Sequence, residues 1–94
     1  MKWLIERQLK ETSARLRSAR EDLVNLDYEV DSFSSDSDDL RTLSTVVGRV
    51  DADRDFDEAN HQAQVLIKAR DGLRRRIEDL VSKQDELLEK LSAN

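Results

Sequence analysis

Five acidic side chains crowd one short stretch of this chain: Asp51, Asp53, Asp55, Asp57 and Glu58. Two chemistries fit them. Acidic residues at a helix start each contribute about 0.3–1 kcal/mol by meeting the positive end of its dipole, which accounts for Asp53 and Asp55 and, further upstream, for Asp38 and Asp39. The same logic fails for Glu29 and Asp31, which crowd the negative end of a preceding helix. An acidic surface that seeks a basic partner, or directs a metal ion, is the second reading, and it would be salt-sensitive. Other reactive groups are scarce. Cysteine is absent, which removes disulfides, thiolate ligands and thiol nucleophiles. The single histidine, His61, falls at an outward position and reads as a surface side chain.

The elements that position these groups follow from spacing. Ile5, Leu9, Thr12, Leu16, Ala19, Leu23, Leu26, Val30 and Phe33 keep a 4-3 repeat. Phe56, Ala59, Ala63, Leu66, Arg70, Leu73, Ile77, Leu80, Gln84, Leu87 and Leu91 keep a 3-4 repeat. Such a repeat holds one narrow apolar seam toward a partner helix and specifies a coiled coil. With 39% charged residues and only two Phe, one Tyr and one Trp, a thick core is excluded, whereas two helices need bury only a stripe each. Proline is absent and Gly48 and Gly72 are the only glycines, so long helices are favoured. The expectation is an all-α, antiparallel coiled-coil helical hairpin forming one domain over residues 1–94, with arms at about 2–32 and 54–91. The Ser- and Asp-rich run from Ser32 to Asp39 is expected to stop arm one, because these side chains compete for backbone hydrogen bonds. A short capping helix at about 38–47 should follow, with Leu40, Leu43, Val46 and Val47 on its apolar face and Gly48 at its end. In this arrangement it folds over Phe56 and Ala59 and closes the tip.

The polar seam residues select the register. Pairing residues whose numbers sum to 96 sets Leu9 against Leu87, Leu16 against Leu80 and Thr12 against Gln84. A shared polar layer costs stability and fixes register. Sliding by one heptad, to a sum of 89, strands Gln84 against Ile5 and Arg70 against Ala19. Arg70, the one seam arginine, is expected to carry its guanidinium outward to Asp22 or Asp27.

Asp55-Phe56-Asp57-Glu58 and the Ala59-Asn60-His61-Gln62-Ala63 segment after it resemble the acidic tip of Gre-type transcript-cleavage factors. That family inserts an antiparallel coiled-coil hairpin into the secondary channel of RNA polymerase, where an Asp and a Glu three residues apart help hold a catalytic magnesium ion. The resemblance covers this motif and the hairpin architecture. It implies a transcription regulator that binds RNA polymerase, with Asp55 and Glu58 as the metal-directing pair. A remoter alternative is a small all-helical chorismate-mutase-like enzyme, which needs several basic groups converging on a bound dicarboxylate. Here Arg70 alone lies in the seam, among Leu26, Leu66 and Leu73.

A different class of function arises off the seam. Ile67, Val81 and Leu88 form a second apolar strip beside the seam of arm two, and Trp3 and Leu4 lie off the seam near the same end. A two-helix hairpin leaves such a strip uncovered, and contiguous exposed apolar surface marks an interface. Two hairpins side by side, as a homodimeric four-helix bundle, would cover it, as would another protein's helix. Charge is uneven: residues 1–20 hold six basic and two acidic groups, residues 21–60 three and thirteen, and residues 61–94 seven and six. The net charge of −5 argues against direct nucleic-acid binding. No apolar run reaches the roughly 18 residues of a membrane span, and the Met1–Glu6 start is too short in apolar length for a secretory signal. The leading expectation is a cytoplasmic, non-enzymatic protein–protein interaction module without a cofactor. Its apolar contacts are Trp3, Leu4, Ile67, Val81 and Leu88, and its polar contacts Asp51, Asp53, Asp55, Asp57 and Glu58.

Overall fold

The computed structural model describes residues 1–47 and 50–93, and side-chain surroundings for residues 1–33, 35 and 54–93. Two helices make up the fold, α1 (Lys2–Val47) and α2 (Val50–Ala93), with no strand among the described residues. The chain is an all-α helical hairpin. The first turn of α1 begins at the Met1 carbonyl, which accepts from the backbone N–H groups of Leu4 at 3.1 Å and Ile5 at 3.3 Å.

The helix boundaries correct two expectations. Arm one does not end near residue 32, and residues 38–47 are not a separate capping helix, because α1 is continuous to Val47. Ser and Asp cost at most about 0.7 kcal/mol each relative to Ala in a helix interior. Breaking a helix and starting another adds a nucleation penalty of about 4 kcal/mol, comparable with the summed cost of the Ser/Asp run. Continuation also preserves the heptad, since positions 37, 40, 44 and 47 extend the same 4-3 spacing. Arm two likewise begins at Val50 rather than near 54, and runs to Ala93 rather than 91. The separate helix expected to fold over Phe56 and Ala59 is therefore not formed, since α1 runs fourteen residues beyond Phe33. Gly48, expected to end the capping helix, lies outside the described residues, as do the side chains of Leu40, Leu43, Val46 and Val47.

Tertiary contacts gather into two compact units. The first joins Met1–Leu23 with Gly72–Asn94. Thr12, Leu16, Ala19 and Leu87 are buried in it, and Leu87 is the one fully buried large side chain among the described residues. Ile5, Leu9, Leu23, Leu73, Ile77, Leu80, Gln84 and Leu91 are half-buried around them. Gln84 Nε2 donates to Ser13 Oγ at 3.0 Å. The second unit, Val24–Asp71, buries Val30 and Ala63 and half-buries Leu26, Phe56, Ala59, Leu66 and Arg70. Here Arg70 Nε stands 3.9 Å from Asp27 Oδ1 and 3.8 Å from Asp71 Oδ1. Of Asp22 and Asp27, the carboxylate beside Arg70 is thus Asp27.

Within each unit the contacts set one antiparallel register. Ser13–Gln84 and Asp27–Arg70 both join residues whose numbers add to 97, one away from the expected 96. The alternative register, with a sum of 89, lies eight residues, or just over two helical turns, from both contacts. Seam positions are buried or half-buried except Phe33, which is 37% exposed. Half-burial follows from architecture: one partner helix covers one face of the seam and leaves its flanks open.

Candidate interaction surfaces

The apolar surface begins in the first unit. α1 presents Trp3, 62% exposed, and α2 presents Leu88, 45% exposed. Leu4 and Val81 are half-buried beside the seam in the same unit. Val81 and Leu88 are seven residues apart, so two helical turns bring them back to nearly the same side of α2. Ile67, the remaining member of the expected strip, is half-buried and belongs to the second unit. Ordinary core packing accounts for Leu87, which faces α1, but not for Leu88, its neighbour turned outward.

The acidic surface lies in the second unit. Asp55, Asp57 and Glu58 are exposed on the second and third turns of α2, while the side chains of Asp51 and Asp53 lie outside the described residues. Asp55 and Glu58 line one surface cleft of about 400 Å³, together with Phe33, Ala59 and Gln62. Spacing alone missed the roles of Phe33 and Gln62. Phe33 holds a seam position yet is partly exposed, and it lines the cleft. The cleft therefore joins an aromatic face, a methyl group, two carboxylates and an amide. This set suits a cationic side chain with a flat or apolar body.

Compared in turn, no family model, curated protein or solved structure matches this chain. The surfaces must therefore be read from their own chemistry. Among the described residues no group of three metal-ligating side chains comes together, and no helix is long and apolar enough to cross a membrane. His61 is exposed. Arg70 is the seam cation, and it pairs with the carboxylates of Asp27 and Asp71. Its Nε is buried and makes no hydrogen bond, because both ion pairs are too long for one. Four further apolar or aromatic side chains are exposed that spacing had not marked: Met1, Val24, Tyr28 and Val65. Val24 and Tyr28 are four residues apart and share one face of α1.

Proposed function

We propose that this chain is a non-enzymatic protein–protein interaction module that self-associates through the apolar strip beside its seam. The observation that carries the reading is that Trp3 and Leu88, both large and both exposed, belong to one unit with half-buried Leu4 and Val81. Sedimentation velocity at micromolar concentrations tests the reading. The wild-type chain is expected to sediment as a dimer, and Val81→Asp with Leu88→Asp as a helical monomer. A folded wild-type monomer at 100 µM would refute it.

A second reading draws support from the cleft, where Asp55 and Glu58 are exposed side by side. In it the acidic end binds within the RNA polymerase secondary channel and regulates transcription, as the Asp55-x-x-Glu58 resemblance implies. That mechanism requires polymerase binding to be lost on Asp55→Ala with Glu58→Ala. Unchanged binding by the double variant rules it out.

A further inference from the structure

Phe33 is 37% exposed although it holds a seam position, and it lines the cleft of about 400 Å³ with Asp55, Glu58, Ala59 and Gln62. On α2 those four residues follow at intervals of three, one and three, so they share one face of the helix. Both carboxylates are exposed, and neither makes an ion pair among the described residues. Arg54 stands four residues before Glu58, yet no basic side chain among the described residues lines the cleft. The surroundings are acidic as well. Residues 24–33, 35 and 54–71 of this unit hold seven acidic and three basic groups.

We propose that this cleft is a binding site for an arginine side chain carried by a basic segment of another protein. The site stands apart from the apolar strip, and neither it nor the self-association reading depends on the other. Carboxylates alone attract any cation, and the ring is what selects among them. A guanidinium is flat and weakly hydrated, so it lies on the exposed part of Phe33 while its forked N–H donors serve the carboxylates. A lysine ammonium is compact and strongly hydrated, and it gives up more water to reach the same ring. Asp55 and Glu58 are separated by about 4.5 Å of helix rise, a gap that the arms of one guanidinium bridge with charge-assisted hydrogen bonds. The Gln62 amide oxygen is a third acceptor about one turn further on, and Ala59 adds only a methyl group, which suits the apolar stem of the ligand. A free arginine uses the cleft alone, whereas exposed Glu29, Asp31 and Asp57 attract the further cations of a basic segment. That favours a peptide over a small guanidinium compound.

Titration of the isotope-labelled full chain, followed by its amide chemical shifts, tests this. The probe is a capped peptide in which arginine alternates with glycine, beside lysine and citrulline versions of equal length and a capped single arginine. The arginine peptide is expected to bind with a dissociation constant on the order of 1 mM at low salt, shifting the amides of Phe33, Asp55, Glu58 and Gln62. The lysine peptide and the single arginine should each bind at least threefold more weakly, and the uncharged citrulline peptide not at all. Asp55→Asn with Glu58→Gln should weaken the arginine peptide at least tenfold. Phe33→Leu should keep lysine binding and remove the preference for arginine, which a loss of acidic charge does not do. Both variants are expected to keep the wild-type helical circular dichroism, since the two acids are exposed and leucine keeps position 33 apolar. Val81→Asp with Leu88→Asp should bind the arginine peptide as the wild type does, so a failure of self-association leaves this site standing. Equal affinity for lysine and arginine, or a preference for arginine that survives Phe33→Leu, would reduce the cleft to an unselective acidic surface and overturn the proposal. Absence of binding by the arginine peptide at ten times the expected constant would overturn it too. A single arginine that binds as tightly as the peptide would overturn the assignment to a basic segment.

Discussion

Leu87 and Leu88 are neighbours of the same type with opposite surroundings, and truncating each separates folding from association. Leu87 is 0% exposed and Leu88 45%. Replacing a buried Leu with Ala costs about 2.7–5 kcal/mol, from lost transfer free energy plus the cavity left behind. A two-helix layer can close part of that cavity by moving one helix toward the other, which places Leu87→Ala near the low end, at about 3 kcal/mol. With a urea dependence of about 1.3 kcal/mol per molar for a chain of this size, the unfolding midpoint should fall by roughly 2 M. Leu88→Ala removes a side chain that already meets water, so its cost to the monomer should stay below about 1 kcal/mol. The dimer is where it should act. The assay is urea unfolding by circular dichroism at 1 µM and at 100 µM, beside sedimentation at both. Leu87→Ala should lower the midpoint at both concentrations. Leu88→Ala should mainly reduce the stabilisation gained on going from the lower to the higher. Equal losses from both variants at 1 µM would show that Leu88 belongs to the hairpin's own packing and refute the assignment of the strip.

Three further substitutions probe the helices and the seam. A Cβ at Gly72 would meet nothing nearer than Arg75 Nη2 at 4.0 Å, so Gly72→Ala should stabilise by about 0.5–1 kcal/mol, read as a higher melting temperature. Arg70 Nε is buried without a hydrogen bond and its ion pairs are long, so Arg70→Met should be neutral or stabilising by up to about 1 kcal/mol. A loss of 3 kcal/mol in that variant would mean that the pair with Asp27 holds the second unit together. Gln84→Leu removes the donor to Ser13 and should raise stability while loosening register. Spin labels at positions 10 and 86 would then show a broadened distance distribution, and an unchanged narrow one would assign register to the apolar side chains alone.

Register was legible because polar residues are rare in the seam. Thr12 and Gln84 meet in one layer only in the expected register, and the donor to Ser13 puts Gln84 within one residue of that place. Ser13 itself was not legible. It flanks the seam, and Gln84 is long enough to reach past the seam to it. Residues 33–39 misled for a different reason. Ser and Asp propensities describe each residue alone, and summed they suggest a stop. The 4-3 spacing continued through positions 37, 40, 44 and 47, and a helix already formed extends without a new nucleus. The cleft escaped because Phe33 was assigned wholly to the seam. Its ring is partly exposed and lines the cleft, which a seam assignment alone does not reveal.

The seam's composition bears on why surface is left over. Thr12, Gln84 and Arg70 occupy positions that Leu or Ile would fill in a coiled coil selected for stability alone. Each specifies which residues meet, and each gives up apolar burial to do so. Small Ala19 and Ala63 reduce the buried area further, although both are buried themselves. A hairpin built this way has a defined register and a modest margin of stability. Any partner that binds only the folded hairpin then adds to that margin by mass action, about 2.7 kcal/mol at a hundred times its dissociation constant. On the proposed reading such a partner would meet exposed Trp3 and Leu88 beside the seam, near half-buried Leu80 and Leu91. Register specificity inside the hairpin and an apolar face outside it are thus two consequences of one sequence choice. Residues that define the fold were taken from its core, and on the proposed reading association supplies the missing burial.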